Sequence, residues 1–285
     1  MSSSTAGQIP GAVKLSYDLH SPAKPVTNQH VQPIIFLHGL FGSKKNNRSI
    51  SRALARDLGR YVYAPDARNH GDSPHNPRHD YNAMADDLEN FIHEHKLKDV
   101  TLIGHSMGAK TAMTLALRRP ELLRDVIPVD NAPIDAGLVS YFGTYTRAMK
   151  EIDRAGVSRH SDADKILEAY EPSLPVRQFL LGNLHRVHVN GHNVLRFRVP
   201  IDILGKALDN MGDFPFQDPQ TARFEKPALF VRGSHSKYVP DEVLPVIGQF
   251  FPLFQLVDVD AGHWLISEQP EQFRQAVVQF LAPKD

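Results

Sequence analysis

Short apolar runs alternate with helical patterns through the first half of the chain. Runs of strand type cover residues 13–19, 33–37, 61–64, 99–103 and 126–129, and helical patterns cover residues 48–58, 81–95 and 107–119 between them. Two more strand-type runs, 228–231 and 254–257, are followed by a closing helical pattern over 270–281. Continuous apolar runs separated by helical patterns predict a mostly parallel sheet that crossover helices cover on both faces.

This alternation stops between about residue 135 and residue 220. We interpret this stretch as several helices and one hairpin over 186–197, turned by Asn190-Gly191. The pattern therefore predicts a sheet domain in two pieces, 12–134 and 221–285. A helical cap, or lid, at 135–220 is inserted between them, and residues 1–11 form a flexible N-terminus.

Composition narrows the function classes. The 285 residues include 32 Lys+Arg and 32 Asp+Glu, so no basic excess supports nucleic-acid or membrane-surface binding. The absence of cysteine excludes disulfides, thiolate metal sites and a cysteine nucleophile. No apolar run approaches the ~20 residues that span a bilayer. Residues 1–11 lack basic side chains, so we expect neither a signal peptide nor a transit peptide there.

The segment Gly104-His105-Ser106-Met107-Gly108 matches G-x-S-x-G. This motif places a serine at a sharp turn from a strand into a helix in α/β-hydrolases, and small flanking residues let the turn close. A strand-type run precedes it and a helical pattern follows it. We therefore expect Ser106 to be a nucleophile, the alternative being a glycine-rich turn without chemistry.

A serine hydroxyl needs an adjacent base, and the chain has 15 histidines from which to choose it. In this fold the base follows the last strand. His263, in Gly262-His263-Trp264, lies between the last strand-type run and the closing helix. We predict that His263 is the general base, the alternative being a loop histidine packed on Trp264.

Acyl chemistry also needs donors for the developing oxyanion. In this fold they are two backbone N–H groups, one directly after the nucleophile and one after an early strand. Met107 supplies the first. Leu40, in the segment His38-Gly39-Leu40-Phe41-Gly42, is our choice for the second, with Phe41 as the alternative. We expect His38 to brace this loop.

The acid departs from the usual pattern. It commonly follows the seventh strand as G-x-x-D, but here Ser236 occupies that position. A neutral hydroxyl cannot stabilise an imidazolium as a carboxylate does. Asp130 ends the strand after the nucleophile helix, at the same sheet edge as Ser106, and is our choice. Asp258 and Asp260 are the alternative candidates for the acid. A non-catalytic alternative is that Asp130 caps a turn.

Five stretches together resemble one branch of the α/β-hydrolases: residues 38–44 with 47–49, 66–74, 104–110, 129–133 and 261–264. They are similar to the fungal mitochondrial ethanol acetyltransferases, the bacterial short-chain esterases and the animal mitochondrial abhydrolases. The resemblance covers nearly all of the chain from Val13 and is weakest in the cap. It implies an eight-stranded sheet and an acid after the sixth strand, which maps onto Asp130. It also implies a mitochondrial matrix location, the alternative being the cytoplasm.

Several other side chains are candidates for binding. Lys44, Lys45 and Arg48 could receive a phosphate-bearing donor such as coenzyme A, although a solvated helix start is the simpler interpretation. Arg68 and Asp72 are expected to brace a loop beside the site by a salt bridge. We expect substrate contacts from Phe41, His105, Phe142 and Trp264. Five aromatic residues are expected to form either an acyl pocket or the core of the cap: Phe142, Tyr145, Phe179, Phe214 and Phe216. Three histidines are expected to lie on a solvated face of the hairpin: His185, His188 and His192.

These residues together predict a serine hydrolase that cleaves short-chain acyl esters or thioesters through an acyl-enzyme. The alternative is an alcohol acetyltransferase that uses acetyl-CoA and ethanol, and a remote one is a non-catalytic partner protein. We expect no cofactor, no metal and no nucleic-acid partner, in a monomer or homodimer.

Overall fold

The computed structural model describes residues 9–23, 32–135, 141–189 and 191–282. The strands are β1 (Tyr17–His20), β2 (Ile34–Leu37), β3 (Val62–Pro65), β4 (Val100–His105), β5 (Leu123–Val129), β6 (Leu184–Val189), β7 (His192–Phe197), β8 (Ala228–Gly233) and β9 (Phe254–Val259). The helices are α1 (Arg48–Leu58), α2 (Tyr81–Glu94), α3 (Met107–Arg118), α4 (Tyr141–Ala155), α5 (His160–Glu168), α6 (Leu174–Leu181), α7 (Ile201–Ala207), α8 (Leu244–Phe250), α9 (Leu265–Glu268) and α10 (Pro270–Leu281).

The main sheet has the strand order β1-β3-β2-β4-β5-β8-β9. Only β1, which pairs with β3, is antiparallel within it. The mostly parallel α/β prediction is therefore confirmed. The described part of the chain contributes seven strands to this sheet rather than the expected eight, because the strand-type runs themselves number seven.

Apolar side chains fill both faces of this sheet. On one face Ile35, Leu102 and Val126 pack with residues of α2, α3 and α8. On the other face Phe36 and Ile103 pack with residues of α1 and α10. Burial on both faces explains why the central strands are apolar throughout rather than alternating.

The stretch between β5 and β8 contains α4, α5, α6, the β6–β7 hairpin and α7. Its apolar side chains form a cluster that includes Phe142, Met149 and Leu204 and extends to Leu40 and Met107 at the carboxyl edge of the main sheet. The predicted division at 134/135 and 220/221 stays a prediction. The hairpin is present, although its expected turn residue Asn190 and most of the expected flexible N-terminus lie outside the described residues.

Within the described ranges, no helix combines the length and the apolar character needed to cross a membrane.

Candidate active site

Ser106 lies at the turn between β4 and α3, where the sequence motif places it. Its backbone has φ 55° and ψ −113°, a conformation that L-residues rarely adopt. The turn is tight enough that a Cβ on Gly104 would lie 2.1 Å from the carbonyl oxygen of Gly108. A Cβ on Gly108 would lie 2.7 Å from the carbonyl oxygen of His38. The two glycines of the motif are thus required by close backbone approach at this strained turn.

Three side chains from separate parts of the chain meet at this turn. Ser106 Oγ lies 3.0 Å from His263 Nε2, and His263 Nδ1 lies 2.6 Å from Asp130 Oδ2. Because a carboxylate can only accept, Nδ1 carries the proton and Nε2 is left to accept from the serine hydroxyl. This arrangement suits proton transfer from Ser106 to His263.

Asp130 is the carboxylate that the fold brings to His263. It follows β5 in a left-handed conformation (φ 52°) and its side chain is fully buried. Besides the imidazole, it accepts hydrogen bonds from Gly233 N–H (3.1 Å) and from the Ser236 hydroxyl (2.5 Å). The buried carboxylate thus has three hydrogen-bond partners.

The two rival carboxylates are committed elsewhere. Asp258 accepts a hydrogen bond from Arg232 (2.5 Å), and Asp260 contacts the His235 ring (2.8 Å). Both aspartates are more than half exposed. Neither of them forms a hydrogen bond with His263 in the described structure.

The two predicted oxyanion donors come from different parts of the fold. Met107 is the first residue of α3, and Leu40 lies in the loop after β2. Among the described residues, neither the N–H of Leu40 nor that of Met107 has a hydrogen-bond partner. By contrast, the Phe41 N–H donates to His70 Nε2 (3.1 Å), so the alternative donor is already engaged.

Aromatic rings surround the imidazole of His263. Tyr238 stacks on it with ring centroids 3.9 Å apart, and the His105 ring lies 4.9 Å away. His105 Nε2–H donates to the carbonyl oxygen of His263 (2.7 Å), and burial lowers the pKa of His105 to about 4. His105 is therefore a neutral ring that fixes the backbone of His263, and the Trp264 ring lies near both imidazoles, with centroids 6.0 and 5.6 Å away.

A cavity of about 710 Å³ opens beside the site. Its walls include Gly39, His105 and Trp264 on one side and Val176 and Phe179 of α6 on the other. The first three are neighbours in sequence of Leu40, Ser106 and His263, so the cavity flanks these three residues. A volume of ~300–1,000 Å³ is typical of sites that bind drug-sized molecules.

The aromatic residues expected to form an acyl pocket are divided among three places. Phe142 and Tyr145 pack with Phe41 in a buried cluster. Phe214 and Phe216 belong to the core of the main sheet. Phe179, whose ring is tilted against that of Trp264 with centroids 4.6 Å apart, lines the cavity.

The cationic cluster expected for a phosphate is largely paired. Lys44 is buried and bonds to Asp66 and Asp72, and Arg48 pairs with Asp18. Lys45 is left exposed. A phosphate would therefore have to displace existing ion pairs to use this cluster.

The expected Arg68–Asp72 salt bridge is wrong. Arg68 forms a buried two-point ion pair with Asp87 of α2 (2.6 and 2.7 Å). Asp72 pairs instead with Lys44 and Arg198. The physical reason is that burial of the guanidinium requires a carboxylate buried with it, and Asp72 is half exposed.

The described residues contain no group of three His, Cys, Asp or Glu that could hold a metal ion. The hairpin histidines do not converge. His188 contacts Asn193 in the next strand (3.2 Å) and is exposed, as is His192.

Three contributors to the site were not assigned by the sequence. The sequence assigns no role to Ser236, and the position of this serine in G-x-x-S is its only signal. Tyr238, two residues later, carried no motif. His70 lay in the Asp66–Pro74 stretch, whose resemblance to relatives marked it without indicating a contact.

Comparison with known proteins identifies the family. The model of the α/β-hydrolase fold family matches residues 32–270. The chain belongs to this family. It is 40% identical to a probable alcohol acetyltransferase of Saccharomyces cerevisiae, over 96% of this chain and 84% of that protein. It is 41% identical to the sn-1-specific diacylglycerol lipase ABHD11 of Mus musculus, over 87% of this chain and 80% of that protein.

Among solved structures, a marine microorganism esterase superposes on this α/β-hydrolase with a TM-score of 0.85. The two are 33% identical, and the match covers 95% of this chain and all of the esterase chain. The esterase and the lipase among these similar proteins support the prediction that this chain is an enzyme.

Proposed function

We propose that this α/β-hydrolase is a serine esterase that works through an acyl-enzyme on Ser106. The observation that carries the proposal is the unbroken series of hydrogen bonds from Ser106 through His263 to Asp130. The N–H groups of Leu40 and Met107 beside Ser106 would supply the oxyanion hole.

The geometry supports a two-step reaction. Ser106 Oγ attacks the ester carbonyl carbon while His263 Nε2 takes the hydroxyl proton, and the carbonyl oxygen becomes an oxyanion held by the two amides. Collapse of the tetrahedral intermediate breaks the bond to the leaving alcohol, which receives the proton from His263. Water then gives a proton to the same nitrogen and attacks the acyl-enzyme carbonyl. Collapse of this second intermediate breaks the bond to Ser106 Oγ, which takes back the proton from His263, and the acid is released. Asp130 stays ionised throughout and stabilises the imidazolium.

The cavity supports a substrate with a bulky, uncharged portion. Among the described residues that line it, only Glu268 carries a formal charge near neutral pH, because burial lowers the pKa of both His38 and His105. Glu268 already accepts a hydrogen bond from Gly262 N–H (2.8 Å). A negatively charged group would therefore meet a carboxylate and no cation there.

We assign the cavity to the leaving group and a short acyl group to the opposite side. The leaving-group oxygen must approach His263 Nε2, and Trp264, the next residue, forms a wall of the cavity. Phe41 and Phe142, whose ring centroids are 6.0 Å apart, pack in a buried cluster with Met107, the residue after Ser106, and would leave room there for only a short acyl group. Short-chain thioesters with an uncharged thiol would fit the same description.

Transfer of an acetyl group to an alcohol is the second candidate. It is favoured by the similarity to the yeast probable alcohol acetyltransferase and would use the same residues, with an alcohol replacing water in the second step. The pairing of Lys44 and Arg48 disfavours coenzyme A as the donor. Incubation with acetyl-CoA and ethanol separates the two: accumulation of ethyl acetate supports transfer, and free acetate alone supports hydrolysis.

Labelling with a fluorophosphonate tests the nucleophile. The wild-type protein should be labelled at Ser106 and lose esterase activity in parallel. Ser106→Ala should abolish both, whereas Ser161→Ala, at an exposed position on α5, should change neither. Labelling that persists in Ser106→Ala would refute the assignment. Absence of labelling in the folded wild-type protein would favour a non-catalytic partner protein.

Two series of neutral esters test the substrate assignment. One keeps an acetyl group and enlarges the alcohol, and the other keeps a small alcohol and lengthens the acyl chain. We expect kcat/KM to rise along the first series and to fall along the second. The reverse order would place the acyl chain in the cavity.

A further inference from the structure

The loop that carries Leu40 is tied to a second loop by two buried histidines. This oxyanion loop, residues 38–44, follows β2, and the second loop, residues 66–74, follows β3. His38, in the first loop, accepts a hydrogen bond on Nε2 from Ala67 N–H of the second (3.0 Å). His70, in the second, accepts one on Nε2 from Phe41 N–H of the first (3.1 Å). The two loops therefore hold each other through a reciprocal pair of imidazoles.

The partners of the other ring nitrogens fix the protonation state of both histidines. His38 Nδ1 faces the Gly39 carbonyl oxygen at 2.8 Å, and His70 Nδ1 faces the Arg68 carbonyl oxygen at 2.9 Å. A carbonyl needs a donor and a backbone N–H needs an acceptor, so each ring must be neutral with its proton on Nδ1. Burial, together with the neighbouring histidines, lowers the pKa of His70 well below the usual value and keeps it in this form.

The contact of His70 determines which amide of the oxyanion loop can reach a substrate. Phe41 has a left-handed backbone (φ 60°), which is costly for a residue other than glycine or asparagine. Its N–H is held by His70, and its carbonyl oxygen accepts a hydrogen bond from Asn183 Nδ2 (2.7 Å). With both polar groups of Phe41 bonded, the turn is fixed and Leu40 N–H is the group left for an oxyanion.

We propose that His70 is a positioning residue for the oxyanion hole: by accepting the Phe41 N–H, it holds the strained turn that presents the Leu40 amide to the reacting carbonyl. This inference rests on the proposed esterase activity. It gives a role to the Asp66–Pro74 stretch, which forms no hydrogen bond with Ser106, Asp130 or His263 in the part of the chain that the structure describes.

Substitutions at His70 and a matched control at His79 test this role. His79 is buried in the same cluster, 5.6 Å from His70, and bonds to Asn69 rather than to the oxyanion loop. His70→Leu removes the acceptor from Phe41 N–H, whereas His79→Leu removes a similar buried ring without touching that loop. We expect His70→Leu to lower kcat by about 10²-fold or more, the usual effect of losing one oxyanion donor, with KM little changed. His79→Leu should leave kcat within about threefold of the wild-type value. This is a change in activation free energy of less than half of the change that alters a rate tenfold.

A conservative pair separates positioning from simple packing. A glutamine side chain can place its carbonyl oxygen near the position of Nε2, whereas an asparagine side chain is too short to reach Phe41 N–H. His70→Gln should therefore recover at least about tenfold of the lost kcat relative to His70→Leu. His70→Asn should not recover it, and this pair remains informative if His70→Leu fails to fold. Melting temperatures of all variants show whether the measured protein is folded at the assay temperature.

Three results would overturn the inference. They are a kcat of His70→Leu equal to that of His79→Leu, a loss confined to KM, or equal activities for His70→Gln and His70→Asn. If the folded wild-type protein itself fails to react with esters and fluorophosphonates, the proposed function has failed instead. The two failures are therefore distinguishable.

Discussion

Replacing Asp130 by asparagine should have the largest effect on turnover among changes at the aspartates near His263. The carboxylate is fully buried, lies 2.6 Å from His263 Nδ1 and accepts two further hydrogen bonds. Asp130→Asn keeps the shape but replaces one acceptor by a donor, which disfavours the tautomer that leaves Nε2 free for Ser106. Loss of the corresponding carboxylate in protease triads lowers kcat roughly 10⁴-fold. At about 1.36 kcal/mol per tenfold step, this corresponds to about 5 kcal/mol of transition-state stabilisation.

The assay is turnover of a neutral acetate ester by the wild-type protein and three aspartate variants. Asp258→Asn and Asp260→Asn are the controls, because these carboxylates pair with Arg232 and His235 at exposed positions. Each control should change kcat by less than about tenfold. A tenfold or smaller loss in folded Asp130→Asn, or a larger loss in either control, would refute the reasoning.

A double variant that moves the carboxylate from position 130 to position 236 tests the same role of the acid. Ser236 Oγ lies 2.5 Å from Asp130 Oδ2 and occupies the position where related hydrolases commonly carry the acid. Asp130→Asn combined with Ser236→Asp should therefore turn over faster than Asp130→Asn alone. Equal activities would mean that a carboxylate at position 236 does not reach His263.

The remaining predictions concern the cavity, the buried histidines and the Arg68–Asp87 ion pair. Val176→Trp, which fills the cavity from α6, should lower kcat/KM for bulky esters more than for ethyl acetate, whereas the same change at exposed Leu174 should not discriminate between them. Burial lowers the pKa of His79 and of His105 to about 4, below the ordinary histidine value of 6.5, so the unfolded chain binds more protons between these values. Stability should consequently fall as the pH drops from 6.5 towards 4, and an unchanged melting temperature over that range would contradict this. Arg68→Met should cost about 3–5 kcal/mol in urea unfolding, since it leaves the Asp87 carboxylate buried without its cation.

The sequence predicted elements best where one periodicity dominates. The predicted bounds of α1 and α10 match the structure, because each helix buries a single apolar stripe against the sheet. The first strand was predicted from residue 13 but begins at Tyr17. The backbone N–H groups of Val13 and Ser16 donate to the side chains of Asp87 and Ser73 rather than to a neighbouring strand. Such partners are distant in sequence and leave no local pattern.

The site was predictable to the extent that its parts follow strands in a known order. Ser106 and His263 carry recognisable local contexts, and the structure places their side chains in contact. The Arg68–Asp72 pairing failed because closeness in sequence within a loop does not decide which carboxylate is buried with the guanidinium. His70 could not be assigned because its partner, Phe41 N–H, is a backbone group 29 positions earlier.

Asp130 and Ser236 show how the order of strands in a sheet can bring two distant sequence positions to the same place. β5 lies between β4 and β8, so the residues that follow β5 and β8 meet at the same edge of the sheet, where Ser236 contacts Asp130 and Asp130 contacts His263. Once Asp130 occupies this place, a second carboxylate at position 236 would lie against it, and two carboxylates so close cannot both ionise. A hydroxyl there instead donates a hydrogen bond to Asp130. Ser236 is thus the complement of an acid on the neighbouring strand, and its presence in the sequence is a physical reason to look for the carboxylate after β5.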